Sequence, residues 1–96
     1  MYGLIGSFTA HSGQRDAIIA LMTASSGDKP GCLSYVVARD SEDPDRIWVT
    51  EVWDDEASHK ASLQIPLVAG TIRKAMPLIA GFGQHTVTEP VGSTIR

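Results

Sequence analysis

Four short segments of the sequence alternate in hydrophobicity, and this pattern limits the fold more than any other feature of the chain. The alternating segments are residues 2–9, 32–38, 46–53 and 82–89. Because successive side chains of a β-strand point to opposite faces of a sheet, each segment predicts one strand. The sequence therefore predicts a sheet of four strands.

The segment between the first two predicted strands has the apolar spacing of an α-helix. Its apolar residues include Ala17, Ile18, Leu21 and Met22. This spacing gathers them on one face of a helix, which we expect over residues 13–26. Ser12 is its expected N-cap, since a serine hydroxyl accepts hydrogen bonds from the first backbone N–H groups, and Gly27 is its expected end.

Two further helices are predicted between the third and fourth strands. The first is short and rich in small residues; we expect Asp54 or Asp55 to cap it and Leu63 to lie at its end. The second begins at Pro66, because the fixed φ of proline suits the first turn of a helix, and Pro77 stops or kinks it.

This order of elements indicates an α+β fold of the ferredoxin-like, split βαβ type, with one antiparallel sheet and the helices on one face. We expect a single domain over residues 1–96, because that length suits one domain. The other face also carries apolar residues, namely Val36, Ala38, Trp48 and Val52. The chain has helices enough for one face only, so we expect a second copy to cover the open face, with Trp48 in the dimer contact.

Composition excludes several classes of partner. The net charge is −3, and no basic stripe is present to bind nucleic acid or an anionic membrane. The single cysteine, Cys32, can form neither an internal disulfide nor a zinc cluster, which favours a reducing, cytoplasmic setting. No apolar run approaches the ~20 residues that cross a bilayer.

An ordered set of short motifs then resembles a known family. The set comprises residues 30–35 (PGCLSY), Asp40, residues 43–44 (DP), residues 51–53 (EVW) and residues 56–59 (EASH). It resembles the antibiotic biosynthesis monooxygenase family, whose members are small dimeric α/β barrel proteins that include quinol and anthrone monooxygenases. The resemblance covers nearly the whole chain.

The resemblance implies a cofactor-independent monooxygenase that oxidises a phenolic, quinol or polyketide-like aromatic substrate with O₂. It implies no flavin, haem or metal, and a homodimer whose partners are a small aromatic substrate and O₂. Such chemistry needs a base and an aromatic-lined pocket that excludes water. Two alternatives stay open: an isomerase or lyase on the same fold, and a non-catalytic module that binds a small aromatic molecule or haem.

His59 is the first candidate for the base or for a hydrogen bond to the substrate. Histidine is the usual proton carrier near neutral pH, and small residues beside it leave room for a ligand. The alternative is an exposed histidine next to Lys60 on the polar face of its helix.

Glu51 and Trp53 complete the predicted catalytic group, because they share one strand face two residues apart. We expect Glu51 to orient His59; the alternative is a structural carboxylate bound to Arg39, Arg46 or a partner subunit. Trp53 is expected to form the pocket wall beside the helix of His59, and ordinary core packing is its alternative.

The remaining candidates are substrate-binding residues. Tyr35 can offer its hydroxyl to a quinol oxygen, although a buried tyrosine with a backbone partner is an ordinary alternative. The expected apolar lining, with core packing as the alternative, is Leu63, Ile72, Met76 and Phe82. No metal site is predicted: His85 and Glu89 share a strand face but lie too far apart to chelate, since each residue of a strand rises ~3.3 Å.

Overall fold

The computed structural model describes residues 1–24 and 29–92. Its elements are, in order, β1 (Tyr2–Ala10), α1 (Arg15–Ala24), β2 (Cys32–Arg39), β3 (Arg46–Trp53), α2 (Glu56–Ser62), α3 (Pro66–Ala75), a 3₁₀ turn (Met76–Leu78) and β4 (Ile79–Thr88). No helix among the described residues has the length and apolar character needed to span a membrane.

The sheet has the strand order β2-β3-β1-β4, and every neighbouring pair is antiparallel. With helices between β1 and β2 and between β3 and β4, this is the ferredoxin-like α+β arrangement, as the alternation of the sequence predicted. β3 begins and ends at the predicted residues, 46 and 53.

The start of α1 differs from the prediction. The helix begins at Arg15, so Ser12 is not its N-cap. Gly13 instead has a φ of +80°, and its N–H lies 3.3 Å from Asp45 Oδ1, which places residues 12–13 in a turn before the helix. Glycine adopts such a conformation without strain, and this delays the helix by two residues. The predicted end at Gly27 lies outside the described residues.

The later helices follow the prediction more closely. Asp55 caps α2, because its Oδ1 accepts a hydrogen bond of 2.7 Å from the N–H of Ser58. Pro66 occupies the first turn of α3. The 3₁₀ turn that contains Pro77 then returns the chain to the sheet at Ile79, three residues earlier than the alternation alone indicated.

The core lies between the helices and one face of the sheet. Its buried cluster comprises Ala10, Ile18, Ile47, Val49 and Ala75, which come from α1, α3 and the two central strands. Burial of these side chains supplies the main favourable term in folding, at about 25 cal/mol per Å² of apolar surface removed from water. This side is the helix face of the sheet, and the other is its open face.

The open face carries the residues that the alternation assigned to it. Val36 is exposed there, and it is paired with Thr50 of β3. The indole N–H of Trp48 donates a hydrogen bond of 2.7 Å to Asp40 Oδ2, at the end of the sheet where the β2–β3 loop begins. The open face therefore combines apolar side chains with one anchored indole.

Candidate active site

A cavity of about 240 Å³ lies between the helix face of the sheet and the three helices. The eight predicted site residues all line it: Tyr35, Glu51, Trp53, His59, Leu63, Ile72, Met76 and Phe82. They come from β2, β3, β4, α2, the residue that follows α2, α3 and the 3₁₀ turn. Residues far apart in the sequence are thus brought to one space large enough for an aromatic ring.

Trp53 and Glu51 form the inner wall of the cavity. They lie two residues apart on β3, so both side chains project to the helix face. The indole N–H of Trp53 donates a hydrogen bond of 3.0 Å to Glu51 Oε1. Trp53 is only 1% exposed, and a buried indole N–H needs such a partner. The ion pairs of Arg39 and Arg46 are with other carboxylates, so neither arginine is the partner of Glu51.

His59 projects from α2 toward this pair rather than toward bulk water. Its Nε2 lies 4.0 Å from Glu51 Oε1, and its side chain is 19% exposed. The imidazole ring also lies at 5.4 Å from the Trp53 ring in an edge-on arrangement and at 5.7 Å from the ring of Tyr2. The neighbouring Lys60, by contrast, lies outside the cavity and pairs with Glu56.

Tyr35 lies on β2 directly opposite Glu51 in the antiparallel register. Burial, followed by the negative charge of Glu51, raises the pKa of the Tyr35 hydroxyl to about 12, so this group stays protonated at neutral pH. Among the described residues the hydroxyl has no hydrogen-bond partner, and the backbone partner considered above is absent there. The O–H is therefore available as a donor to a guest.

The apolar part of the wall is open to water. Leu63, Ile72, Met76 and Phe82 are between 41% and 70% exposed, so none of them is a core residue. They surround the mouth of the cavity, whereas Trp53 and the carboxylate of Glu51 lie deep inside it. A guest that fills the cavity would bury these side chains, a gain of about 25 cal/mol per Å² of apolar surface.

A second depression of about 250 Å³ continues the cavity along the sheet. Both spaces are lined by Phe8, Met22, Tyr35, Glu51 and Phe82. The second one extends to Gly6 and His85, which are paired across β1 and β4. Because Gly6 has no side chain, it leaves space above the sheet at this point.

Two residues at the site, Lys29 and Tyr2, were not predicted from the sequence. Lys29, from the loop before β2, lines the cavity with its Nζ 4.0 Å from the centre of the Tyr35 ring. Tyr2 contacts His59, and its position on the helix face follows from the alternation of β1. No pattern in the sequence indicated that the side chain of Lys29 would extend into the cavity wall.

The described residues contain no group of three or more His, Cys, Asp or Glu side chains placed to hold a metal ion. Cys32 does not line the cavity, and burial raises the pKa of its thiol, which disfavours the nucleophilic thiolate.

Comparison with known proteins decides the family. A sequence model of the family described as antibiotic biosynthesis monooxygenase matches residues 1–74. The chain belongs to the antibiotic biosynthesis monooxygenase family. The segment matched by this family's model contains Tyr35, Glu51, Trp53 and His59, whereas β4 and its Phe82 lie beyond it.

Solved structures named for the antibiotic biosynthesis monooxygenase family agree with this assignment. One from Chloroflexus aurantiacus is 55% identical to this chain, with a TM-score of 0.93 over 96% of this chain and 94% of the other. A second, from Deinococcus radiodurans, is 24% identical with a TM-score of 0.79 over 100% and 97%, and shows the fold alone. The comparison with curated proteins found no match.

Proposed function

We propose that this chain is a cofactor-independent monooxygenase that oxidises a phenolic, quinol-type or polyketide-like aromatic substrate with O₂. One arrangement carries the proposal: His59, Glu51, Trp53 and Tyr35 line a single cavity, with a carboxylate oxygen 4.0 Å from the imidazole. The name of the 55% identical structure, that of an antibiotic biosynthesis monooxygenase, gives further support.

The proposed first step is a proton transfer. His59 takes a proton from a hydroxyl group of the substrate, and the Glu51 carboxylate stabilises the imidazolium that forms. Trp53 holds that carboxylate in place through its N–H. Base catalysis of this kind contributes about 10²–10⁴-fold to a rate.

The second step uses the electrons of the ionised guest. A phenolate gives one electron to O₂, and the two radicals that result combine at a ring carbon to form a peroxide. Loss of water from the peroxide leaves one oxygen atom in the product. For a hydroquinone, C₆H₆O₂ and O₂ give the hydroxyquinone C₆H₄O₃ and H₂O. The substrate supplies all four electrons, so no external reductant is consumed.

The deep wall of the cavity suits a reactive intermediate. Trp53 is buried, its N–H is paired with Glu51, and the Glu51 carboxylate lies beside His59. Excluding water from this part of the site prevents loss of the intermediate to side reactions. The exposed mouth residues would be covered by the bound substrate itself.

We also propose that the functional unit is a homodimer formed through the open face. Val36 is 45% exposed on this face, on the edge strand β2, and a second sheet would bury it. Sedimentation of the 10.3 kDa chain should give twice that mass. Val36→Lys should produce a monomer, and a monomeric wild-type protein would overturn the dimer. A cytoplasmic location stays a prediction from composition.

Oxygen uptake tests the enzymatic proposal. Metal-depleted protein is mixed with a panel of hydroquinones and an anthrone, and uptake is compared with a protein-free blank. With ¹⁸O₂, one labelled atom should appear in the product and the other in water. Absence of uptake across the panel contradicts the proposal. Conversion that persists without O₂ would indicate the isomerase or lyase, and binding without conversion would indicate a non-catalytic module.

A further inference from the structure

One side chain of the cavity wall has no part in the chemistry proposed above. Lys29 is half-buried, and its ammonium lies 4.0 Å from the centre of the Tyr35 ring. Cation–π contacts of this kind are worth about 0.5–1 kcal/mol at exposed sites. The ring therefore helps to hold the ammonium beside the cavity.

Lys29 is also unusual in its charge. Among the described residues that line the cavity, it is the one group with a permanent positive charge. No ion pair joins it to another residue in the described ranges 1–24 and 29–92. The carboxylate that shares the cavity, Glu51, is engaged by Trp53 and lies beside His59. The chain as a whole is acidic, so this cation does not belong to a general basic surface.

Tyr35, whose ring contacts this ammonium, adds a neutral donor through its hydroxyl group. Its pKa of about 12 keeps it protonated at neutral pH, and it has no hydrogen-bond partner among the described residues. An ammonium and a phenol O–H are both donors, and together they suit a carboxylate. The Glu51–His59 pair, which lines the same cavity, suits a group that gives up a proton.

We propose that Lys29 and Tyr35 bind an anionic substituent of the guest, so that the preferred substrate is a hydroxylated aromatic acid rather than a neutral quinol. Tyr35 and Glu51 are opposite one another across β2 and β3, a spacing of about 5 Å between Cα atoms. In this scheme one aromatic ring bridges the two pairs, with its carboxylate at Lys29 and a hydroxyl near His59, all within the one cavity that these residues line. Lys29 therefore determines substrate specificity in this scheme. Only the oxidation that follows binding rests on the proposed function.

The test compares two matched probes, 2,5-dihydroxybenzoate and its methyl ester, which differ in the charge of one substituent and by one methyl group. Binding is measured under nitrogen by quenching of tryptophan fluorescence. The wild-type protein should bind the acid more tightly than the ester, by up to about fivefold, because a partly exposed ion pair is worth up to about 1 kcal/mol. The preference should shrink as salt is added.

Substitutions assign the preference to Lys29. Lys29→Met should bind the two probes equally, and Lys29→Arg should retain most of the preference. Lys60→Met is the matched control, since Lys60 is exposed and pairs with Glu56; it should behave as the wild type. Circular dichroism of each variant confirms that it is folded.

Three results would overturn the inference: equal binding of the two probes by the wild-type protein, an unchanged preference in Lys29→Met, or binding of neither probe. Because binding is measured without O₂, its outcome is independent of the proposed oxidation. A preference for the acid with no oxygen uptake would leave the inference standing and remove the monooxygenase function. Oxygen uptake with neutral hydroquinones, together with equal binding of the acid and the ester, would support the monooxygenase function and overturn the inference about Lys29.

Discussion

The indole N–H of Trp53 and the carboxylate of Glu51 lie 3.0 Å apart on the same strand. The bond satisfies a donor on a side chain that is 1% exposed, and it leaves the carboxylate 4.0 Å from His59. One hydrogen bond thus links the packing of the domain to the geometry of its candidate base, and the first prediction concerns this bond.

Two substitutions of Glu51 should separate its structural role from its charge. Glu51→Leu removes the acceptor of the buried indole and should lower the free energy of unfolding by about 1–3 kcal/mol. Glu51→Gln keeps an acceptor oxygen and should cost less stability, yet it loses the negative charge beside the imidazole. We expect oxygen uptake in Glu51→Gln to fall by about tenfold or more, equivalent to about 1.4 kcal/mol. Urea denaturation and uptake assays measure the two effects, and equal stability of both variants would contradict the structural role.

The base is tested at His59. His59→Ala should reduce oxygen uptake with a hydroquinone by about 10²–10⁴-fold, because the proton acceptor is lost. His11→Ala is the matched control, since His11 is exposed and does not line the cavity. Unchanged turnover in His59→Ala, with folded protein, would remove His59 from the mechanism.

Tyr35 should make stability depend on pH in the alkaline range. Its folded-state pKa of about 12 is above the ordinary value of 10.0, so the folded state holds the proton more tightly than the unfolded chain. This contribution is complete below about pH 10 and is lost as the pH rises through about 12. Between those values the wild-type protein should lose more stability than Tyr35→Phe, as measured by urea denaturation. Parallel pH profiles of the two proteins would contradict the assignment.

Asp40 should make the opposite contribution in acid. The hydrogen bond from the Trp48 indole, followed by those from the backbone N–H groups of Asp43 and Glu42, lowers the pKa of Asp40 from 3.8 to about 2. Its contribution to stability is present above about pH 4 and is lost as the pH falls through about 2. Trp48→Phe removes the leading donor and should flatten this part of the profile, which thermal melts at a series of pH values can measure. An unchanged acid slope would show that the bond has no effect on folding.

Gly31 should tolerate a side chain less well than Gly13. Both have a positive φ, +83° and +80°, which costs about 1–3 kcal/mol for alanine. A Cβ at Gly31 would also lie 2.5 Å from Ser58 Oγ and 2.6 Å from Asp54 Oδ1, whereas a Cβ at Gly13 meets nothing within 4 Å. Gly31→Ala should therefore lower the free energy of unfolding by more than Gly13→Ala. Equal losses in chemical denaturation would mean that the neighbours of Gly31 move aside freely.

The strands of the sheet could be predicted from the sequence because alternation of apolar and polar residues is a local pattern. Alternation fixes which side chains share a face, and it placed Glu51 and Trp53 with Tyr35 on one side before any contact was known. The predicted N-cap at Ser12 was wrong for an equally local reason, since Gly13 adopts a positive φ and inserts a turn. Propensity at a helix start is easily overridden by one turn residue.

The environment of the site was harder to predict because it depends on how separate elements meet. His59 faces Glu51 only because α2 packs where it does. Their pairing was predicted from the chemistry of the two side chains, which does not fix the distance between them. Lys29 comes from a loop, and the direction of a loop side chain leaves no periodic trace in the sequence. The depression at Gly6 depends on where the helices pack over the sheet, and the sequence alone does not give that position.

The helix that carries His59 is seven residues long. A peptide of that length does not hold a helical shape alone in water, so α2 depends on its cap at Asp55 and on the sheet beneath it. The imidazole of His59 and the carboxylate of Glu51 are therefore held by two different elements, α2 and β3. Of these, α2 depends on its contacts with the rest of the protein. Mild warming or low denaturant should free the helix before the strands separate, and catalysis should then fade while the protein still registers as folded.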